Sequence, residues 1–255
     1  MGILNVTPDS FSDGGKWNSV DSALSHAGEM ISEGCDIIDI GGESTRPGYE
    51  KISDNEEIAR VVPVIKAIKS SFDIPVSLDT YKASVALAGI EAGADMINDI
   101  WGCLYDNKMA GVIASSGAAC CLMHNRPKPN YNDFLSDVLT DLQASVDIAR
   151  SAGVCSDKIM LDPGIGFAKT YEQNLLLMNN LKLIRELGYP VLLGTSRKSM
   201  IGLTLNLPSD ERLEGTLATT IIGLLSGCSF FRVHDVKENK RALTMAEAIL
   251  SAKEL

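Results

Sequence analysis

Short apolar segments alternate along this chain with longer segments whose apolar residues recur every three or four positions. The short segments predict eight β-strands, which lie within residues 3–6, 36–40, 75–78, 96–97, 119–123, 159–161, 190–193 and 230–233. The second of them is a β-branched apolar run, a pattern typical of a strand buried on both faces of a parallel sheet. The longer segments predict amphipathic helices, one of which carries Val20, Ala23, Leu24, Ala27 and Met30 on its apolar face.

The number and order of these elements predict an α/β protein with one (β/α)8 TIM barrel over residues 1–255. The chain has the length typical of this fold, and no linker or change in composition divides it. A doubly wound open sheet is the alternative architecture. Its nucleotide-binding versions lose support, because no G-x-G-x-x-G follows the first strand and no G-x-x-x-x-G-K-[ST] occurs.

Composition narrows the partners that this chain is expected to have. The 23 basic and 33 acidic residues give a net charge of −10, which argues against nucleic acid or an anionic membrane as the main partner. No apolar run is long enough to cross a bilayer, and the N-terminus does not have the pattern of a signal peptide. None of the six cysteines forms a C-x-x-C pair, so we expect reduced thiols and a cytoplasmic protein.

Polar residues stand at or just past the carboxyl end of nearly every predicted strand. In a closed barrel these ends meet at one mouth, where charged groups are costly to desolvate unless they bind a ligand or one another. The set comprises Asn5, Thr45, Arg46, Asp79, Asn98, His124, Asp162, Lys198, Arg232 and His234. Structural ion pairs could account for some members. Asp79 could simply cap a helix, and residues 44–48 could be an ordinary turn.

The chemistry of this set divides into two sectors. Asp79, Asn98, Asp162 and Lys198 combine acceptors and donors that suit a flat heterocycle, and a carboxylate can accept two parallel N–H bonds from a guanidine-like edge. The second sector consists of Asn5, Arg232 and His234, with Arg46 nearby. It suits a diphosphate and Mg²⁺, a cation that takes oxygen ligands from protein and phosphate together.

Seven segments resemble the bacterial dihydropteroate synthases in the order of that family. They are residues 5–15 (NVTPDSFSDGG), 39–48 (DIGGESTRPG), 77–80 (SLDT), 97–99 (IND), 162–167 (DPGIGF), 196–199 (SRKS) and 232–235 (RVHD). The resemblance spans essentially the whole chain and implies a transferase of folate biosynthesis, the step that sulfonamides inhibit. Such an enzyme condenses 6-hydroxymethyl-7,8-dihydropterin diphosphate with 4-aminobenzoate and releases 7,8-dihydropteroate and diphosphate.

The resemblance also implies roles for individual residues. The pterin diphosphate would be bound by Thr45, Asp79, Asn98, Asp162, Lys198, Arg232, Val233 and His234, of which Asp79, Lys198, Arg232 and His234 would be catalytic. The 4-aminobenzoate pocket would be formed by Phe11, Arg46, Pro47, Phe167 and Ser199, and Asn5 would bind Mg²⁺. The diphosphate would leave first, so that the arylamine attacks a pterin cation. A homodimer is expected from the family.

Three features depart from the family pattern. The chain begins at Met1 where the family has a short hairpin, so that hairpin is expected to be missing. Ala168 replaces a common glycine, and residues 123–127 match loosely.

Two other functions compete with this one, a pterin-dependent methyltransferase domain and a non-catalytic pterin-binding paralogue. Residues 196–198 and 232–234 favour diphosphate chemistry over methyl transfer.

Overall fold

The computed structural model describes residues 1–6, 16–43 and 51–252, and in the first helix it describes side chains from residue 20 onward. Within these ranges eight parallel strands alternate with helices, as predicted. The strands are β1 (Gly2–Asn5), β2 (Ile38–Gly41), β3 (Val76–Asp79), β4 (Met96–Asp99), β5 (Ala119–Met123), β6 (Ile159–Asp162), β7 (Leu192–Leu193) and β8 (Phe230–Phe231).

The strand order returns on itself, as in a barrel. Strands β1 to β6 pair consecutively in one sheet, and β7 pairs with β8 in a second. Two isolated parallel bridges join the sheets, between Leu161 and Val191 and between Gly2 and Val233. The last two strands are shorter than predicted. Pro190 contributes to this at the start of β7, because it has no N–H to donate to a ladder.

Helices follow the strands and cover the outside of the sheet. They are α1 (Lys16–Ser32), α2 (Asp54–Ser71), α3 (Ala83–Glu91), α4 (Met109–Ser116), α5 (Phe134–Ser151), α6 (Tyr171–Asn179), α7 (Leu181–Arg185), α8 (Ser199–Leu205), α9 (Leu213–Leu225) and α10 (Val236–Leu250). The sequence predicts one helix where α6 and α7 stand. Asn180, with φ at −123°, interrupts the helical backbone between them. Helix α8 was not predicted.

The core lies between the strands and the apolar faces of these helices. On α1, Ala23, Ala27 and Met30 are buried, which confirms the predicted apolar face. Leu4, Ile40 and Leu78 are fully buried in three adjacent strands, and each contributes about 1.5–3 kcal/mol by leaving water. The described helices include none that is both long and apolar enough to span a membrane.

Candidate active site

The guanidinium of Arg232, just past β8, joins two carboxylates at the carboxyl end of the sheet. Nε donates to Oδ2 of Asp39 at 2.5 Å, and Nη2 donates to Oδ2 of Asp79 at 2.7 Å. Asn98, in β4, donates through Nδ2 to the same oxygen of Asp39 at 3.2 Å. The structure therefore brings together three predicted site residues, Arg232, Asp79 and Asn98, around an acid that was not assigned a role.

Both carboxylates of this cluster retain an unused oxygen. Oδ1 of Asp39 and Oδ1 of Asp79 are buried and have no hydrogen-bond partner in the part of the chain that the structure describes. The same holds for Oγ of Ser77, which lies in β3 with Asp79 and pairs with Asp39 of β2. A buried acceptor without a donor costs about 1–3 kcal/mol, so the described cluster is poised for a ligand that brings N–H groups.

Asp162, Lys198 and Gly194 form the other side of the site. A Cβ built on Gly194 would lie 3.7 Å from Oδ2 of Asp162 and 3.9 Å from Nζ of Lys198. Lys198 Nζ donates to the carbonyl of Ile165 and lies 4.8 Å from the centre of the Phe167 ring, which is a cation–π contact. The predicted residues Asp162, Lys198 and Phe167 thus share one pocket wall, and the missing side chain of Gly194 leaves space beside them.

Burial shifts the protonation of the charged groups. It raises the pKa of Asp79 to about 7, although the nearby Arg232 opposes the shift. It lowers the pKa of Lys198 to about 8, against the attraction of Asp162. Burial also raises the pKa of Asp162, although the positive charge of Lys198 opposes this shift. For Arg232 burial acts to lower the pKa, but the carboxylates of Asp39 and Asp79 prevail and raise it. Asp79 and Lys198 therefore change charge near neutral pH, as acid–base and binding groups of active sites commonly do.

His234 lies beside Ser196 at the start of the last βα connection. The backbone N–H of His234 donates to Ser196 Oγ at 3.2 Å, and Oγ lies 3.0 Å from His234 Nδ1. The hydroxyl can donate to Nδ1 while it accepts from the backbone, an arrangement that leaves the imidazole proton on Nε2. Val233 is buried in the core and bridges to Gly2, so its side chain serves packing.

The remaining predicted residues differ in how far the structure places them. Ser199 is exposed at the first position of α8, directly after Lys198. Asn5 is half-buried at the end of β1, and its Oδ1 lies 3.4 Å from a Cβ built on Gly41. Phe11, Thr45, Arg46 and Pro47 lie outside the described residues.

Asn5 is the residue that the sequence assigns to Mg²⁺. Within the described residues no group of three or more His, Cys, Asp or Glu side chains could hold a metal ion. Asn5 offers an amide oxygen, the hard donor that Mg²⁺ prefers, but a single protein oxygen leaves most of the coordination to water and phosphate. The residues therefore fit a cation that arrives with a diphosphate.

Asp39 is the site residue that sequence reasoning missed. Its side chain is fully buried in β2, where it accepts from both Arg232 and Asn98. The available signal was an acid inside a strand buried on both faces, because such an acid requires a cationic partner. His124, which the sequence placed in the polar set, is instead buried behind the pocket wall against Asp141 and Lys169.

Comparisons with known proteins are consistent along the whole chain. The family model described as pterin binding enzyme matches residues 1–234. The dihydropteroate synthase of Clostridium beijerinckii is 64% identical over 251 residues, which cover 98% of this chain and 93% of the relative. A crystal structure of the Clostridium difficile dihydropteroate synthase in the presence of pteroic acid superposes with a TM-score of 0.97 at 50% identity, covering 99% of this chain and 96% of the other.

A second solved structure is that of a relative with 4-aminobenzoic acid. The dihydropteroate synthase of Xanthomonas albilineans with 4-aminobenzoic acid superposes with a TM-score of 0.95 at 39% identity. The superposition covers 99% of this chain and 93% of the other. These likenesses extend over the strands, helices and site residues described above.

Proposed function

The chain belongs to the dihydropteroate synthases, a family of pterin-binding transferases, and from this premise we propose how its residues act. The substrates are the diphosphate of 6-hydroxymethyl-7,8-dihydropterin and 4-aminobenzoate, and the products are 7,8-dihydropteroate and diphosphate. The pterin occupies the pocket between Asp79, Asn98, Asp162 and Lys198. Related dihydropteroate synthases have been solved in the presence of pteroic acid and with 4-aminobenzoic acid, which supports both substrates.

One observation carries the pterin assignment, namely the unpaired carboxylate oxygens of Asp39 and Asp79. The 2-amino-pyrimidine edge of a pterin presents adjacent N–H donors, and buried acceptors bind such an edge more strongly than water does. Asn98 can both donate and accept, whereas Lys198 only donates. The pocket therefore matches a heterocycle whose opposite edges differ in polarity.

The chain then supports departure of the diphosphate by positioning and electrostatics. Asp39 and Asp79 occupy Nε and Nη2 of Arg232, which leaves other N–H groups of the guanidinium for phosphate oxygens. His234 presents an imidazole near the same strand end. The carbon–oxygen bond to the diphosphate breaks, and its electron pair leaves with the diphosphate. The carboxylates of Asp79 and Asp162 face the cation that forms on the pterin. The lone pair of the 4-aminobenzoate amine then forms the carbon–nitrogen bond, and the nitrogen loses one proton to water.

We propose three further properties of the enzyme. Asn5 would hold Mg²⁺, which would neutralise charge on the diphosphate when it is bound. A homodimer would form through α9 and α10, where Ile222, Leu225, Met245 and Ile249 expose apolar side chains. A cytoplasmic location would keep the free thiols of the chain reduced.

A diphosphate-release assay tests the function. Adding pterin diphosphate and 4-aminobenzoate together should release diphosphate and yield a product with the mass of 7,8-dihydropteroate. A non-catalytic paralogue would bind the pterin without releasing diphosphate, and a pterin-dependent methyltransferase would not condense the two substrates. Either result would overturn the proposal.

A further inference from the structure

Lys169 stands near the end of the loop that connects β6 to α6, residues 163–170, and its side chain folds back onto the earlier part of that loop. Its ammonium lies 2.8 Å from Nδ1 of His124 and donates to the carbonyls of Gly164 at 2.9 Å and Phe167 at 3.0 Å. An ammonium has three protons, and these three acceptors use all of them. Lys169 therefore ties its own loop together at two separate carbonyls.

The backbone of this loop needs such support. Gly164 has φ at +69°, Gly166 at +86° and Ala168 at +46°, all in the left-handed region. A Cβ on Gly164 would lie 2.0 Å from the carbonyl oxygen of His124, so this position has no room for a side chain. Glycine adopts positive φ readily, but Ala168 is strained there, and such a residue persists only where its surroundings hold it.

His124 fixes Lys169 in turn. While Lys169 is charged its ammonium can only donate, so Nδ1 of His124 accepts and Nε2 carries the proton that is donated to Asp141 Oδ2 at 3.1 Å. Burial lowers the pKa of Lys169 to about 7, so this arrangement belongs to the protonated lysine. Burial and the charge of Lys169 lower the pKa of His124 to about 3, so the ring stays neutral and keeps this tautomer. The chain from Lys169 through His124 to Asp141 ties the loop to helix α5.

The end of β6 and the loop after it contribute three groups to the site. Asp162 accepts from Gly164 N–H at 2.7 Å, Ile165 offers its carbonyl to Lys198, and the Phe167 ring lies against the same ammonium. The two carbonyls that Lys169 holds, those of Gly164 and Phe167, stand on either side of Ile165. A shift of the loop would therefore displace the partners of Lys198 on one side of the pocket.

From these contacts we infer that Lys169 is a positioning residue of the pterin site. It holds the β6–α6 loop so that Asp162, the Ile165 carbonyl and the Phe167 ring meet the substrate in one geometry. The inference rests on the proposed function, because it takes the pterin as the ligand of this pocket. Lys169 itself contacts the loop and His124 and not the reacting atoms.

Lys169→Met tests the inference, because it keeps much of the side-chain length and removes every donor. Calorimetry with pterin diphosphate should show binding weakened by at least about tenfold, the size expected when hydrogen bonds from a charged group are lost. In steady state the KM for pterin diphosphate should rise by a larger factor than kcat falls. Lys169→Gln, which keeps two N–H donors, should bind between Lys169→Met and the wild type.

Two controls separate positioning from lost stability or lost charge. Val138→Ala removes buried volume from α5 and should lower stability while leaving pterin affinity within about twofold of the wild type. Lys182→Met removes an exposed lysine of α7 and should change neither property. If Lys169→Met binds the pterin diphosphate within twofold of the wild type, or if Val138→Ala weakens binding equally, the inference is wrong.

A variant that keeps Lys169 covers the case in which Lys169→Met does not fold. His124→Asn removes the ring that fixes the ammonium, and it should weaken pterin binding in the same direction but less. Unchanged pterin binding in His124→Asn would then overturn the inference. Failure of the proposed function is distinguishable, because in that case the wild type itself would neither bind pterin diphosphate nor release diphosphate.

Discussion

Arg232 and Asp39 lie 193 positions apart in the sequence, and Nε of the first donates to Oδ2 of the second at 2.5 Å. The contact exists because β8 returns beside β1, which in turn pairs with β2. The bridge that brings the end of β8 beside β1 therefore also brings Arg232 to the site. The carboxylate of Asp39 is fully buried, so the ion pair stands in a medium where charge is costly to leave unpaired.

Asp39→Asn is expected to destabilise the protein and weaken pterin binding. The amide keeps the shape of the carboxylate but removes the charge that faces Arg232, at a cost of about 2–4 kcal/mol because Asp79 still pairs with the guanidinium. Urea unfolding monitored by circular dichroism measures the change. Asp36→Asn is the matched control on the same segment, since its carboxylate is exposed and pairs with Lys240 at the surface. Equal stability losses in the two variants would contradict this assignment of Asp39.

Asp162→Asn should weaken binding of pterin diphosphate by at least about tenfold, since one mismatched buried hydrogen bond costs about 1–3 kcal/mol. The amide would place N–H donors where the carboxylate now accepts from Gly164 N–H at 2.7 Å and faces Lys198. Isothermal titration calorimetry gives the affinity. An unchanged affinity would remove Asp162 from the pterin pocket.

The pH dependence of kcat/KM for pterin diphosphate should be bell-shaped and narrow. Asp79, whose pKa is raised to about 7, loses its proton as pH rises and becomes the anion that pairs with Arg232, so activity should increase through pH 7. Lys198, whose pKa is lowered to about 8, loses its charge above that pH, so activity should then fall. The profile of kcat/KM reports groups of the free enzyme, which is the state described here.

Variants assign the two limbs of this profile. Asp79→Asn cannot ionise, so the acidic limb should disappear from the residual activity. Lys198→Arg stays protonated at all accessible pH values, so the alkaline limb should move upward by more than one pH unit. A profile that is identical in Lys198→Arg and the wild type would show that another group controls the alkaline limb.

Lys82→Met should destabilise the protein by about 3–5 kcal/mol, the range for breaking a buried ion pair on one side. Lys82 Nζ lies 2.7 Å from carboxylate oxygens of both Glu43 and Glu57, and all three side chains are buried. Denaturant unfolding measures the loss. Replacing Glu43 and Glu57 by Gln in the same variant should recover part of it, because the buried negative charges are then removed. A loss below about 1 kcal/mol would contradict the prediction, because it would mean that water solvates the two carboxylates left without a cation.

The sequence predicted the site residues near the ends of strands and missed Asp39, whose role depends on its pairing with Arg232. Asp79, Asn98 and Asp162 lie at or next to the last residue of their strands, so their convergence followed from the parallel topology alone. Asp39 lies inside a strand, and its partner Arg232 is so distant in the chain that no local pattern links them. The break between α6 and α7 was missed for a different reason, because the apolar spacing continues across it. Leu177, Leu181 and Ile184 keep helical spacing across Asn180, and all three are buried.

The order of bond breaking can be tested through the second substrate. If the diphosphate departs before the arylamine attacks, pterin diphosphate alone should release diphosphate slowly, with water in place of 4-aminobenzoate. Phe11→Ala should then raise the KM for 4-aminobenzoate, since an aromatic contact of about 1–3 kcal/mol would be lost, and should leave the slow release unchanged. Arg232→Met should suppress both reactions, because it removes a cation that faces the leaving group.

In a concerted displacement, release without 4-aminobenzoate would vanish in the wild type. A Phe11→Ala variant that weakened pterin binding as much as it raised the KM for 4-aminobenzoate would place this residue in the pterin site instead.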